Sequence, residues 1–268
     1  MIQTARAMPQ ERAAIVPTVI ESKSNSLHLN FRELWEFKEL LYFLAWRDMK
    51  ARYAQTVLGV AWALIQPLAA MVIFTIVFSV WAKLPSDGLP YPLFAYAALL
   101  PWTLLAKSLE RSGQSVVAES NLVKKVYFPR VILPIASTLA GVIDFFIAFL
   151  LLLLLMGWYG IPPTWKVTAI PMLVLFTIGT SLAVSLWLSA LNVHYRDVAG
   201  AIPLLTQLWM YASPVVYPLS LVPEQWRVLY SVNPMAAIIE GFRWALLGGT
   251  GPDTGTAIMS ASATGVLL

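Results

Sequence analysis

The chain has 268 residues, 59% hydrophobic and only 12% charged, with a net charge of +4 and no cysteine. A soluble domain is about half apolar and about a quarter charged, so the composition, with a mean hydropathy of +0.71, indicates an all-α integral membrane protein and excludes disulfides and thiolate metal sites. The pI near 9.3 does not call for nucleic acid, because the basic residues cluster beside apolar segments, where the positive-inside rule accounts for them.

Residues 1–29 are polar and mixed, without the apolar core of a secretory signal, and are expected to be a cytoplasmic N-terminal segment. Asn30 followed three positions later by Glu33 is a capping-box signature. Phe31, Leu34, Trp35, Leu41, Tyr42, Ala45, Met49 and Tyr53 then recur at helical spacing, with charged residues on the other faces. Residues 30–56 are therefore expected to form an amphipathic interface helix and its lead-in, with Trp35 and Trp46 at headgroup depth. Residues 57–268 form the expected transmembrane domain.

The first span covers about 57–81, with Pro67 expected to kink it. A turn at Asp87-Gly88 leads to a second span, about 93–109, interrupted by Pro101. The third, about 131–157, carries a single carboxylate, Asp144. A carboxylate at that depth is costly unless neutral, paired or facing water, and a protonated or hydrogen-bonded contact holding two spans together is favoured over a coupling or pore-facing group. Further spans are expected at about 167–191 and 199–219. The last apolar segment, 256–268, rises only about 18 Å as helix, so that the sixth span is incomplete in this chain.

Between the second and third spans lies Glu119–Pro134, with Lys124, Lys125 and Arg130 close together. Ordinary helix formers from Ser115 lead to Tyr127 and Phe128, and Pro129 ends the helix. A short helix at about 115–128 with two exposed aromatics is expected to be a docking element, or else an interfacial loop facing headgroups. Fourteen of the 18 Lys and Arg fall on the side of the N-terminus and this stretch, which places both in the cytoplasm.

On the opposite side, residues 221–249 contain two segments too short to cross, separated by Asn233-Pro234. They are expected to re-enter from the outer face as a gate. Its candidate residues are Glu224, Trp226, Arg227, Asn233, Pro234, Glu240 and Arg243, with Glu224–Arg227 and Glu240–Arg243 paired at i, i+3. Flat rings stack on sugar rings without demanding one hydrogen-bond pattern. Trp62, Phe74, Phe78, Tyr91, Tyr96, Trp102, Trp209, Tyr211 and Tyr217 are the candidates to line a path, against the alternative of lipid-facing filler.

No Gly-x4-Gly-Lys-[Ser/Thr] loop, His-Glu-x-x-His or Gly-x-Ser-x-Gly elbow occurs, and His28 and His194 have no metal-ligand company. An enzyme is disfavoured on that ground. Several blocks instead resemble the membrane subunits of ABC type-2 polysaccharide exporters: Trp46-Arg-Asp-Met-Lys-Ala-Arg-Tyr53, Gln55 to Trp62, Gln66-Pro67, Asn121 to Arg130, Leu191 to Asp197, Tyr211 to Pro218 and Asn233-Pro234. The family includes O-antigen, capsule and teichoic-acid permeases. The resemblance implies a non-catalytic, channel-forming subunit of the bacterial inner membrane, a homodimer of six-span copies exporting a lipid-linked polysaccharide. It also implies a separate cytoplasmic ATPase dimer that holds ATP and Mg. That ATPase would dock on Phe31, Leu34 and Trp35 of the surface helix and on Glu119, Asn121, Lys124, Lys125, Tyr127, Phe128 and Arg130 around the coupling helix. A permease of the same type for a drug or lipid cargo is the alternative.

Overall fold

A computed structural model describes residues 31–54, 61–249, 251 and 253–267. The N-terminal segment, the Asn30 cap and the start of the first span at 57–60 lie outside the described residues. Arg32–Leu268 pack as one unit. Among the described residues every regular element is a helix.

Helices α1 (Phe31–Glu36) and α2 (Lys38–Tyr53) follow one another almost without a break, since Phe37 N donates to Glu33 O and Leu41 N to Phe37 O. Helix α3 (Ala61–Phe74) passes through Pro67 and widens into π-helical turns over Thr75–Trp81. After the Asp87-Gly88 turn, where both residues have positive φ, α4 runs unbroken from Tyr91 to Ala118. Pro101 does not interrupt it. A helix packed on all sides keeps its course through a proline because its neighbours fix it.

The chain turns at Glu119 into a short α5 (Ser120–Lys125), and Val126 is extended before Pro129. The expected 115–128 helix is thus corrected: Ser115–Ala118 belong to α4, and only α5 is separate. Helix α6 (Ile132–Trp158) and α7 (Ile170–His194, entered through a 3-10 turn at Trp165–Ala169) match the third and fourth spans closely. The expected fifth span is shorter than its apolar run: α8 is Asp197–Tyr211, 15 residues, or about 22 Å against about 30 Å of hydrocarbon. Beyond it lie α9 (Glu224–Val232), α10 (Pro234–Leu247) and α11 (Thr254–Leu267). Gly248, at φ 76°, ends α10 in the left-handed conformation that glycine adopts without strain.

Among the described residues, four helical stretches are long and apolar enough to cross a bilayer: Ala61–Trp81, Tyr91–Lys125 (α4 with α5), Ile132–Trp158 and Trp165–His194 (the 3-10 turn with α7). The second is the axis of the fold. Of its most apolar window 78% is buried, against 33% for the third and fourth and 17% for the first. Small and hydroxylated residues let its neighbours approach. Ser112 Oγ lies 3.0 Å from both Pro134 O and Thr138 Oγ1 of α6, and Asn192 Nδ2 of α7 donates to Gly113 O at 3.0 Å. A Cβ at Gly113 would stand 2.6 Å from Ile202 Cδ1 of α8, so no larger residue fits that crossing without a shift.

Candidate functional site

The first feature is the elbow between α4 and α6. Asn121, Lys124, Lys125, Tyr127 and Arg130 are exposed, Tyr127 by 68%. Phe128 is not, and this corrects the expectation of two exposed aromatics. It is 5% exposed, packed with Leu44 of α2 and Ile132, Leu133 and Ala136 of α6. Pro129 turns the chain at that point, so consecutive rings face opposite ways. Leu34, Phe37, Leu40, Leu41 and Ala45 join the same seam from α1 and α2. Trp35, Tyr42, Phe43 and Trp46 lie on the opposite side, exposed, with Tyr42 and Trp46 stacked at 6.4 Å. Helical spacing groups Trp35 and Tyr42 with Leu34 and Leu41; packing separates them. The side chain of Phe31 is outside the described set.

A second feature joins residues of the Trp46–Tyr53 block to Asp144 and Glu119, a connection that no motif spacing gave. Helix α2 is clamped to its neighbours by charge at three levels. Arg47 Nη2 is 3.0 Å from Asp48 and also pairs with Glu119 at the elbow. Ser137 Oγ donates to Asp48 Oδ2 at 3.4 Å. Arg52 Nη1 lies 2.8 Å from Asp144 Oδ2, Arg111 Nη1 of α4 lies 3.4 Å from the same oxygen, and the Tyr53 hydroxyl bonds the other. The favoured reading of Asp144 as a contact between helices is what the structure shows, made by ion pairing. The Glu119 hydrogen bond raises the Arg47 guanidinium above its ordinary value. Burial, then the repulsion of Arg111, lowers that of Arg52. Burial and the Asp144 hydrogen bond push the Tyr53 hydroxyl up to about 12, so it is a neutral donor at physiological pH. The signal available in sequence was the lone carboxylate itself, which had to be neutral, paired or facing water; that Arg52 and Arg111 pair with it is seen only in the structure.

Of the candidate path-lining rings, Tyr91, Tyr96 and Trp102 lie inside the chain's own core, at 5% exposure or less. They are on α4, which neighbours wrap on every side, and Tyr91 spends its hydroxyl on Val216 O at 2.7 Å. Trp209 packs edge-on against Trp102 and donates to Asn233 Oδ1 at 3.0 Å. Phe74 and Phe78 are half-buried against the core. Tyr217 is half-buried and bonded to Tyr230 and, at 3.0 Å, to Tyr211 O. Trp62 and Tyr211 remain half-exposed.

The expected gate also divides. Helix α9 is a surface element, with Glu224, Trp226 and Arg227 exposed and the Glu224–Arg227 pair at 3.9 Å. Helix α10 is a core element rather than half of an outer hairpin. Pro234 is buried, and Phe242 sits edge-on to Phe145 with no exposure. Arg243 is 2% exposed, 3.0 Å from Glu240, and donates to Val215 O at 2.9 Å and Phe94 O at 3.3 Å. Burial lowers the Arg243 guanidinium and raises the Glu240 carboxyl, each opposed by the other's charge. Asn233 caps α10 through Met235 N and reaches Ser213 Oγ at 2.9 Å, facing its own bundle. Between α9, α10 and α11 is a cavity of about 450 Å³ whose polar lining includes Asp87, Arg227, Glu240 and Asp253. Among the described residues no group of three or more His, Asp or Glu is arranged to hold a metal ion.

With four helical stretches of this length and apolarity among its described residues, the chain is a multi-pass membrane protein. Residues 39–247 match the model of the ABC-2 type transporter family, and the chain belongs to that family. It is 30% identical over 240 residues to an O-antigen export system permease protein, RfbA, of Myxococcus xanthus, covering 88% of this chain and 91% of that one. An RfbA of Klebsiella pneumoniae is 27% identical over 79% of this chain and 82% of its own length. The polysialic acid transport protein KpsM of Escherichia coli is 22% identical over 76% and 79%.

Proposed function

We propose that this chain is the channel-forming membrane subunit of an ATP-driven exporter that moves a lipid-linked polysaccharide across the bacterial inner membrane. The observation that carries the reading is the 30% identity to an O-antigen export permease along nearly the full length of both chains. In this reading two copies form the path, and each carries a cytoplasmic ATPase that binds ATP and Mg. The N-terminus and the α4–α6 elbow face the cytoplasm, as the distribution of Lys and Arg supports. The chain supplies no chemistry of its own. It offers a docking elbow, a clamp from that elbow into the membrane, and a wall.

The test is reconstitution of the chain with its ATPase in proteoliposomes loaded with ATP and lipid-linked glycan. Glycan-stimulated ATP hydrolysis and transfer of glycan across the bilayer are expected. Stimulation by a drug or a plain lipid in place of glycan would overturn the cargo assignment in favour of another ABC-2 permease.

Docking is expected at Tyr127. A ring 68% exposed next to two lysines is an apolar group without cover unless a partner supplies it. The chain has no native cysteine, so single cysteines at Asn121 and Tyr127 can be tested without background. Both are expected to crosslink to the ATPase, and Tyr127→Asp to lower ATP-coupled export by about tenfold while leaving the chain folded. Absence of both crosslinks would leave the elbow a lipid-facing loop.

The path is expected at Trp62 and Tyr211, the two candidate rings left most open. Ring stacking is worth about 1–3 kcal/mol in the related case of nucleobases on aromatic side chains. The double replacement Trp62→Ala/Tyr211→Ala should therefore cut glycan export severalfold, with assembly intact by size-exclusion chromatography. Unchanged export would place the path along other residues.

A further inference from the structure

Helix α2 runs beside α6 in the same direction, which corrects the expectation of a helix lying wholly at the membrane interface. Leu44 shares a seam with Ile132, Leu133 and Ala136, Asp48 meets Ser137, and Arg52 and Tyr53 meet Asp144. Asp144 lies about 18 Å along α6 from Ile132. At its other end the same contact surface holds the elbow, through Arg47 to Glu119 and through Leu122, Val123 and Phe128 in the seam.

Apolar contact alone would leave α2 free to slide or roll on α6, because dispersion and burial are non-directional. The charged contacts are directional and fix one register. Breaking the inner one is costly. The Arg52 side chain is 20% exposed and that of Asp144 11%, so parting them strands a charge in a poorly solvated place. Arg111 brings α4 to the same carboxylate. A push on the elbow therefore moves α2, the start of α6 and the Arg111 turn of α4 together.

We propose that Arg47, Arg52 and Asp144 are positioning residues that make α2, the elbow and the first half of α6 a single rigid lever, carrying motion of the docked ATPase to about mid-membrane. The lever rests on the reading of the chain as part of an ATP-driven exporter. It concerns register rather than docking, since Arg52 and Asp144 lie away from the elbow surface.

Two measurements in reconstituted, ATPase-bound proteoliposomes test it. Arg52→Gln and Asp144→Asn are expected to lower thermal stability yet still assemble with the ATPase and keep basal ATP hydrolysis, while glycan exported per ATP falls by about tenfold. The exchange Arg52→Asp/Asp144→Arg keeps two cations and one anion in the cluster, and should recover most of that ratio. Export per ATP unchanged in the single variants, or lost in them and not recovered by the exchange, overturns the lever. The second measurement does not depend on variants that leave a charge unpaired. In Asp48→Cys/Ser137→Cys, bridging the two thiols by a short bifunctional reagent ties α2 to α6, and export is expected to continue because the helices move as one. A block relieved by a cleavable linker's reduction would show that the contact must open, and overturns the proposal. Failure of the exporter reading itself would appear in the wild type as no glycan movement, whereas failure of the lever appears only in variants beside an active wild type.

Discussion

Arg243→Met should be the most damaging conservative-volume substitution in the chain, costing about 3–5 kcal/mol. The guanidinium is 2% exposed and holds together Glu240 on its own helix, Phe94 O of α4 and Val215 O of the segment after α8. Methionine fills the space but takes the cation from the Glu240 carboxylate, which keeps only its backbone hydrogen bond from Leu219, and takes the guanidinium donor from Val215 O. Thermal unfolding in detergent, followed by intrinsic fluorescence, is the measurement. The sign of its pH dependence follows from Glu240. Burial raises its folded-state pKa above the ordinary 4.5, and removing Arg243 takes away the charge that opposes the rise. A carboxyl with a raised folded pKa binds more protons folded than unfolded, so stability falls as pH rises above about 4.5. The Arg243→Met variant should thus regain stability on acidification, and Glu240→Gln/Arg243→Met should lose that dependence. A variant as stable as the wild type at neutral pH would show that Arg243 does not hold α10 to α4 and the segment after α8.

Phe128→Asp is the second large effect, and its neighbour gives the contrast. Phe128 is nearly sealed between α2 and α6, so removing the ring alone costs about 3–5 kcal/mol, and a carboxylate there adds a desolvation penalty. The elbow should come away from α2, with loss of folded yield even when no ATPase is present. Tyr127→Asp, one residue earlier on the open side, should leave the yield intact and act only through the ATPase. Equal loss of yield from both would mean that the two rings share one environment, against the burial that separates them.

Much of this molecule is determined by the sequence alone, because a bilayer imposes a one-dimensional rule. Long apolar runs must be helical, so Ile132–Trp158 and Trp165–His194 follow from composition to within a few residues. The local ion pairs Glu224–Arg227 and Glu240–Arg243 follow from helical spacing. The lone Asp144 marked a position that had to be neutral, paired or open to water.

Tertiary structure decided what each apolar residue faces, since lipid and protein interior are equally apolar and leave the same pattern in sequence. Hydropathy treats Tyr96 and Trp62 alike, yet one is sealed inside α4's wrapping and the other half-exposed. Pro101 resembles an interruption because a lone helix would break there, and packing on all sides of α4 removed the choice. Phe128 and Tyr127 parted because the chain turns at Pro129. The partners of Asp144 came from Arg52, 92 positions away, and Arg111, 33 positions away. No spacing rule links such distances. Only the alignment of α2 along α6, fixed by the seam around Leu44, brings those charges to one carboxylate.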